Sequence, residues 1–364
     1  MRRNYLINTK PARLIAEWER QDAVLLVWPT EWMDWRDNLE EAVACYTSVA
    51  KTLLKYVRVI IVTDKRERVW EHLEGEYDHE LIIVPDFYQN DTWVRDYGPL
   101  SIEYKEGGGA LLDFGFNAWG LQFAANNDNR FCYNLFAHTD LFQDIEPSYR
   151  SERDYILEGG AIESNGSDVI LSTTSVLCEP NRNPLRSESE HLSEIAARIG
   201  NKRVYSLDIE AMEGDDTHGH IDTIARFVDP HTILYNYTAD ERDVHYGRLR
   251  QLRAELIELQ ERVPSIEKLV PLPLPNPIFN SYGDQLPATY ANFLMTNDAV
   301  IVPIYGDPVM DEVALGIIAD HCPGRVVEGV DCRALIEQGG SLHCATMQLP
   351  QGYVNPKYFY LNNI

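Results

Sequence analysis

The chain has 364 residues, of which 45% are apolar and 24% are charged, a balance typical of a globular protein with a substantial core and not of a disordered chain. Its 32 basic and 57 acidic residues give a net charge of −25, which disfavours nucleic acid and anionic membrane surfaces as partners and favours small cations. No apolar stretch is long enough to span a membrane, and the first ten residues lack the apolar core of an export signal, so we expect a cytoplasmic protein.

Short apolar runs that end at a polar residue or a proline recur along the chain, and they predict strands buried on both faces. These runs are residues 24–28, 57–62, 81–84, 169–171, 232–235 and 299–304. Three glycines at 107–109 predict a hairpin turn between two further strands.

Three helices carry recognisable start signals. The first opens with the capping box of Ser187 and Glu190 and ends at Gly200. A second is predicted over 240–263, with an aspartate as N-cap and leucines spaced for one apolar face. A third is predicted over 307–320, with Asp-Pro at its start.

Strands and helices alternate from end to end, and no linker interrupts them. The sequence therefore predicts one α/β domain over residues 1–364, containing several β, β, α, β groups. Spacing alone does not choose between an open sheet and a closed, propeller-like arrangement. The six cysteines are scattered without a C-x-x-C pair, which predicts free thiols, one of which is a candidate nucleophile.

Four short segments concentrate reactive side chains beside glycine, proline or tryptophan, as loops at strand ends do in α/β folds. They are residues 91–99, 157–160, 215–222 and 339–344. If the third segment is extended, its period-2 alternation places Asp216, His218, His220 and Asp222 on one face. A polar hairpin face is the simpler interpretation, but the apolar residues that follow favour a site at the mouth of a core.

Alternatives remain open for each of these side chains. The run of His218, His220 and Asp222 also has the look of a metal site, although the histidines on later segments are poorly placed to complete it. Cys344 is either an inert buried thiol or a nucleophile whose neighbouring glycines leave its sulfur uncovered. The local pattern around Asp96 favours a surface pair with Arg95 or a turn over a functional role, and Glu158 is equally ambiguous but needs a partner such as an imidazole if it is buried.

Taken in order, these segments resemble the agmatine deiminase family, which includes bacterial peptidyl-arginine deiminase-like proteins of the guanidine-modifying superfamily. The resemblance spans nearly the whole chain and depends on the following motifs: Ala16-Glu17-Trp18-Glu19, Trp28-Pro29, Trp93-x-Arg95-Asp96-x-Gly98-Pro99, Phe116-Asn117-Ala118-Trp119-Gly120, Leu157-Glu158-Gly159-Gly160, Asn181-Arg182-Asn183-Pro184, Asp215-Asp216-Thr217-x-Gly219-His220-Ile221-Asp222, Leu286-Pro287-Ala288-x-Tyr290-x-Asn292-Phe293, Gly306-Asp307-Pro308 and His343-Cys344.

The resemblance implies a five-bladed α/β propeller of pseudo-symmetric ββαβ modules around a central site. It also implies a hydrolase of linear amidines that converts a guanidinium to a ureido group without metal or cofactor, as in polyamine metabolism. By resemblance Cys344 is the nucleophile, His220 the acid and base, Glu158 its partner, and Asp96 and Asp222 the guanidinium clamps. The expected partner is a small cationic guanidine, and a homo-oligomer is compatible with this reading.

Substrate binding is expected to involve Asp96, Asp222, Trp93, Trp119 and Asp216, the last as partner of a terminal amine. The chain departs from the family's usual pattern in two places, because Ser341 replaces an Asn and His218 replaces an Asp or Asn. Agmatine, converted to N-carbamoylputrescine, is the expected substrate. Arginine or peptidyl-arginine as substrate, an amidinotransferase, a non-catalytic cation-binding module and a metal hydrolase are the alternatives.

Overall fold

The computed structural model describes residues 11–201 and 203–361, with side chains described as far as residue 358. The first ten residues, on which the prediction about an export signal depends, lie outside this range. None of the helices within it has the length and apolar character that crossing a bilayer requires.

Strands and helices alternate along the described chain. The strands are β1 (Ala12–Leu14), β2 (Gln21–Val27), β3 (Arg58–Val62), β4 (Leu81–Val84), β5 (Leu100–Tyr104), β6 (Gly109–Gly115), β7 (Ser148–Ile156), β8 (Glu163–Ser164), β9 (Val169–Thr173), β10 (Arg203–Leu207), β11 (Ala225–Asp229), β12 (Thr232–Asn236), β13 (Lys268–Leu272), β14 (Leu294–Met295), β15 (Ala299–Ile304), β16 (Val326–Asp331) and β17 (Thr346–Pro350). The helices are α1 (Leu39–Leu53), α2 (Arg66–Leu73), α3 (Val94–Tyr97), α4 (Ala118–Leu121), α5 (Phe131–His138), α6 (Thr174–Leu177), α7 (Glu188–Ile199), α8 (Tyr246–Arg262), α9 (Pro308–His321), α10 (Arg333–Ile336) and α11 (Pro356–Leu361).

Within the described residues these strands form five sheets, in the orders β1-β5-β6-β7, β10-β9-β8, β11-β12-β13, β14-β15-β16 and β17-β2-β3-β4. Each sheet contains an antiparallel pair followed by a parallel pair whose two strands are separated in the chain by at least one helix. The prediction of recurring β, β, α, β groups in a mixed α/β fold is therefore confirmed. In the fifth sheet β17 pairs with β2, which joins the two ends of the described chain.

Each of the six predicted apolar runs falls on a strand, with residues 28 and 57 just outside β2 and β3, and β4 and β15 have the predicted bounds. The predicted hairpin joins β5 and β6. In α7 the capping box of Ser187 and Glu190 is present, and Gly200 ends the helix in the left-handed conformation, with φ 86°. In α9 the Asp307 side chain accepts a hydrogen bond from Met310 N, as an N-cap should.

Two local predictions are wrong. Helix α8 begins at Tyr246 instead of 240, because the Asp240 carboxylate accepts hydrogen bonds from the backbone and guanidinium of Arg242 and so closes a turn. The segment 215–222 is not extended, since His218 and Gly219 have φ values of 69° and 92° and Ile221–Thr223 forms a 3-10 turn. Period-2 alternation therefore cannot place its side chains.

Candidate active site

Five side chains selected from the sequence come from separate parts of the fold and are almost completely buried. Asp96 lies in α3, Glu158 lies two residues after the end of β7, and Cys344 precedes β17. His220 and Asp222 lie at the start of the 3-10 turn Ile221–Thr223. None of the five is more than 4% exposed.

Asp96 is held by two donors and lies next to the histidine. The Trp119 indole Nε1 donates to Asp96 Oδ2 at 2.9 Å, and Gly160 N donates to Oδ1 at the same distance. His220 Nδ1 lies 3.6 Å from Asp96 Oδ1. Burial raises the pKa of Asp96 to about 6, because the positive charge of His220 only partly offsets the desolvation and the neighbouring carboxylates add to it.

Gly160 explains how three of these groups come so close together. A Cβ atom at this position would lie 2.6 Å from His220 Nδ1, 2.9 Å from Asp96 Oδ1 and 3.0 Å from Asp222 Oδ2. Any larger residue would therefore occupy the space between the imidazole and the two carboxylates. The Gly159-Gly160 pair after β7 serves this close approach.

Cys344 is anchored by an asparagine and faces a carboxylate. Asn292 Oδ1 accepts from the backbone N–H groups of His343 and Cys344, at 2.9 and 3.3 Å, and Asn292 Nδ2 lies 3.4 Å from the sulfur. The sulfur lies 3.8 Å from Asp222 Oδ2. Burial, Asp222 and Asp96 together raise the pKa of the Cys344 thiol well above its ordinary value.

The glycines before Cys344 do not uncover its sulfur, which contradicts the sequence prediction. A Cβ on Gly339, whose φ is 80°, would lie 2.8 Å from the Asp216 carboxyl, and one on Gly340 would lie 2.5 Å from the Trp93 ring. The two glycines make room for these neighbours, which the sequence selected as substrate contacts. Burial and the adjacent Asp215 raise the pKa of Asp216 to about 7.

Glu158 has a different partner from the one expected. Arg182 Nε donates to both carboxylate oxygens of Glu158, at 2.8 and 3.1 Å, whereas neither ring nitrogen of His220 has a hydrogen-bond partner in the described chain. Burial alone would raise the pKa of Glu158, but the charges of Arg182 and His220 lower it below the ordinary value. Glu158 thus acts on His220 as a nearby negative charge and not through a hydrogen bond.

An extended segment would place the side chains of His218 and His220 on one face. In the structure His218 is instead held by an arginine. Its Nδ1 lies 3.2 Å from Arg182 Nη1, and Arg182 Nη2 donates to the Thr217 carbonyl at 2.9 Å. The imidazole therefore belongs with the arginine that holds Glu158. Among the described residues no group of three or more His, Cys, Asp or Glu side chains is arranged to hold a metal ion.

Three buried polar atoms converge here without hydrogen-bond partners in the described chain: His220 Nδ1, His220 Nε2 and Asp222 Oδ1. An unpaired buried polar atom costs about 1–3 kcal/mol, so such atoms rarely cluster without a functional reason. The other Asp222 oxygen, Oδ2, accepts from His343 Nδ1 at 2.7 Å. Burial alone would raise the pKa of Asp222, but His343 and His220 lower it below its ordinary value and so favour the ionised carboxylate.

Sequence reasoning did not assign roles to three residues that shape the site: Arg182, Asn292 and His343. Each belongs to a motif quoted for the resemblance, but none has a local pattern that reveals its partner. Asn292 gave the best signal, because a polar side chain stands there in an otherwise apolar stretch over 291–295.

Comparison with known proteins gives a consistent result. A family model described as Porphyromonas-type peptidyl-arginine deiminase matches residues 13–350. An agmatine deiminase of Medicago truncatula is 27% identical, with 92% of this chain and 95% of the plant protein aligned.

Two solved structures extend the similarity to the fold. A Porphyromonas gingivalis protein, named as a proposed arginine deiminase, is 41% identical with a TM-score of 0.88, over 94% of this chain and all of the other. A substrate-bound agmatine deiminase of C. jejuni, a cysteine-to-serine variant, is 33% identical with a TM-score of 0.85, over 94% of this chain and 97% of the other.

Proposed function

We propose, from the premise that this chain belongs to the Porphyromonas-type peptidyl-arginine deiminase family, that it hydrolyses agmatine to N-carbamoylputrescine and ammonia. The agmatine deiminase relatives support the broader statement that it is an enzyme acting on guanidino groups. The finer assignments, to this substrate and to a covalent route, are proposed from the geometry and charges of the site.

The observation that carries the proposal is the convergence of the unpaired Asp222 Oδ1 and the unpaired His220 nitrogens beside Asp96 and Cys344. A guanidinium is planar, permanently charged and surrounded by five N–H donors, so it suits carboxylate acceptors that flank it. Its carbon is a poor electrophile and needs a strong nucleophile, which a thiolate provides.

In the proposed mechanism the Cys344 thiol gives its proton to His220, and the thiolate adds to the guanidinium carbon. The imidazolium of His220 returns a proton to the departing nitrogen as the C–N bond breaks, which releases ammonia and leaves an amidino-cysteine. Water then adds to this carbon while His220 takes up its proton. The C–S bond breaks, and the ureido product and Cys344 are released.

Asp96 and Asp222 hold the cation in this scheme, and the charge of Glu158 stabilises the imidazolium of His220. These carboxylates are buried close together and repel one another. A positively charged substrate relieves this repulsion, so the site favours cations.

Agmatine fits the charges around the site better than free arginine does. Agmatine ends in an ammonium group, for which the half-buried Asp216 carboxyl is available. Free arginine carries a carboxylate that needs a cationic partner, and the buried arginines around the site are already paired, Arg182 with Glu158 and both Arg95 and Arg226 with Glu17. Peptidyl-arginine lacks this carboxylate and remains the second candidate, favoured by the description of the family model.

We also propose that the five sheets are the blades of a propeller around this site. The support is the recurrence of one strand pattern in every sheet and the pairing of β17 with β2, which closes the sequence of sheets between the two ends of the described chain. Asp96, Glu158, His220 and Cys344 would then stand on segments contributed by different blades.

The test is release of ammonia and ureido product from agmatine, arginine and a peptidyl-arginine, each with and without a chelator. We expect agmatine to be the best substrate, Cys344→Ala to abolish turnover, and the control Cys322→Ala, at another buried cysteine, to retain it. Mass spectrometry of acid-quenched enzyme should find the amidino group on the Cys344 peptide. Turnover that survives Cys344→Ala but not the chelator would refute the mechanism.

A further inference from the structure

A network of buried charged side chains borders Cys344 and Asp222 and has no role in the chemistry proposed above. His343 lies at its centre, with Nδ1 2.7 Å from Asp222 Oδ2 and Nε2 2.7 Å from Glu17 Oε2. Glu17 enters from the segment after β1, and it also pairs with Arg226 at 3.0 Å and Arg95 at 3.5 Å. His343 thus connects the substrate clamp to an anchor distant in sequence.

Both contacts of His343 can be hydrogen bonds only if each ring nitrogen carries a proton. A neutral imidazole has one N–H group, so its other nitrogen would direct a lone pair at a carboxylate oxygen 2.7 Å away. The imidazolium donates at both nitrogens and satisfies both carboxylates. Burial and the charges of Arg226 and Arg95 lower the pKa of His343, and Glu17 and Asp222 oppose them only in part. The charged form is inferred instead from the two carboxylate oxygens at 2.7 Å, which only a ring with two N–H groups can satisfy.

The charge of the network leads to the same conclusion. Arg95 and Arg226 contribute two positive charges, and the carboxylates of Glu17, Asp222 and Glu163 contribute three negative ones, with Glu163 accepting from Arg226 Nε at 2.9 Å. The cluster is neutral only when His343 is an imidazolium, and an uncompensated buried charge is expensive. Burial raises the pKa of Glu163 to about 7, so this count applies above that pH.

We propose that His343 is a buried imidazolium, held in that state by Glu17, and that the two are positioning residues for Asp222. His343 fixes Asp222 through Oδ2 and leaves Oδ1 free for the substrate guanidinium. It also offsets the negative charge that faces the Cys344 sulfur. This assignment of roles rests on the proposed function, whereas the charge state of His343 does not.

The charge state is tested by ¹⁵N NMR of protein labelled at histidine, at pH 7.5, with His343 assigned from the signals that His343→Gln removes. We expect both nitrogens of His343 to show imidazolium shifts in the wild type. In Glu17→Gln the amide can donate an N–H to the ring, so we expect a neutral imidazole. A neutral ring in the wild type would overturn the proposal, whether or not any guanidine is turned over.

The positioning role is tested by steady-state kinetics of Glu17→Gln over a range of pH. Because Asp222 loses its fixed orientation, we expect kcat/KM to fall by on the order of 100-fold, together with a shifted pH profile. Asp113→Asn is the matched control, since this carboxyl is also buried, accepts from Tyr149 at 2.6 Å and lies outside the network. The control should lose stability without a change in the pH profile or in the His343 signals.

The NMR and kinetic experiments together distinguish a failure of the proposed function from a failure of the positioning role. If the wild type turns over no guanidine but His343 has imidazolium shifts, the proposed function fails and the charge assignment stands. If turnover occurs and Glu17→Gln keeps the wild-type pH profile and kcat/KM, the positioning role is refuted.

Discussion

Removal of the Arg182 guanidinium should destabilise the protein in a way that depends on pH. Arg182→Met leaves the Glu158 carboxylate, which is completely buried, without the partner that contacts both of its oxygens. We expect Glu158 to become protonated in the folded variant, because burial then acts on its pKa with much less opposition. His220 would lose its negative neighbour as well, so the imidazolium that forms during the proposed reaction would be less stable.

The magnitude follows from the ordinary carboxyl pKa. Protonating at pH 7 a group whose ordinary pKa is 4.5 spans 2.5 pH units at about 1.36 kcal/mol each, or about 3.4 kcal/mol. This agrees with the roughly 3–5 kcal/mol lost when one partner of a buried ion pair is removed. It is a large fraction of the roughly 5–15 kcal/mol that stabilises an ordinary domain.

The sign of the pH dependence is fixed by linkage. In the wild type the lowered pKa of Glu158 stabilises the fold above pH 4.5, and this contribution is lost as the pH falls through the folded-state pKa. In the variant the folded state holds a proton that the unfolded state releases above 4.5, so stability falls as the pH rises. The difference between the two proteins should therefore shrink by about 2.5 kcal/mol between pH 7 and pH 5.

Urea denaturation at pH 7 and pH 5 measures this difference. Arg333→Met removes one partner of an exposed pair with Asp331 and serves as the control, with an expected loss below about 1 kcal/mol at either pH. The double variant Arg182→Met/Glu158→Gln should recover much of the stability, since the carboxylate that Arg182 contacts at 2.8 Å is no longer charged and Glu179, at 3.8 Å, keeps its hydrogen bonds from Asn181. An equal loss at both pH values, or a double variant no better than Arg182→Met, would refute the reasoning.

Three further outcomes are expected. Gly160→Ala should lower kcat/KM by on the order of 100-fold, while circular dichroism shows that the variant is folded. Gly316→Ala is the control and should retain activity, because its added Cβ meets open space. Equal activities of the two variants would contradict the close approach of the imidazole and the two carboxylates at Gly160. The KM for agmatine should rise about tenfold per pH unit below about 6 as Asp96 is protonated, and a flat KM would argue against its clamp role. Cys344 should be alkylated much faster by chloroacetamidine than by chloroacetamide, and equal rates after correction for bulk charge would exclude activation by a bound cation.

The strands and the reactive residues could be predicted because their signals are local. Apolar runs such as 81–84 and 299–304 identify buried strands without knowledge of the fold, and Gly-Gly next to Glu158 or a cysteine after two glycines marks a segment of unusual geometry. Convergence of these residues came from the family resemblance. Nothing in the spacing between Asp96 and Cys344 requires them to meet.

The failed predictions concern partners, which depend on how distant loops pack. Glu158 was assigned to an imidazole, but Arg182 reaches it from the loop before α7 and takes both of its oxygens. The segment 215–222 is not extended as predicted, because the Asp215 carboxylate accepts hydrogen bonds from Thr217 N and Gly219 N and so turns the chain back on itself. Helix α8 begins at Tyr246 and not at the predicted residue 240 for a similar reason, since an aspartate such as Asp240 can cap a turn as readily as a helix.

The charges of the site connect the nucleophile to the choice of substrate. With the site empty, burial, Asp222 and Asp96 keep the Cys344 thiol protonated and therefore weakly reactive. In the proposed mechanism a guanidinium between the two carboxylates neutralises the groups that oppose thiolate formation, so the substrate itself would promote formation of the attacking thiolate. A neutral amide or urea of the same shape would fit between the same residues without supplying that charge. Selectivity for cations therefore resides in the ionisation of Cys344 as well as in binding, and it should appear in kcat as much as in KM.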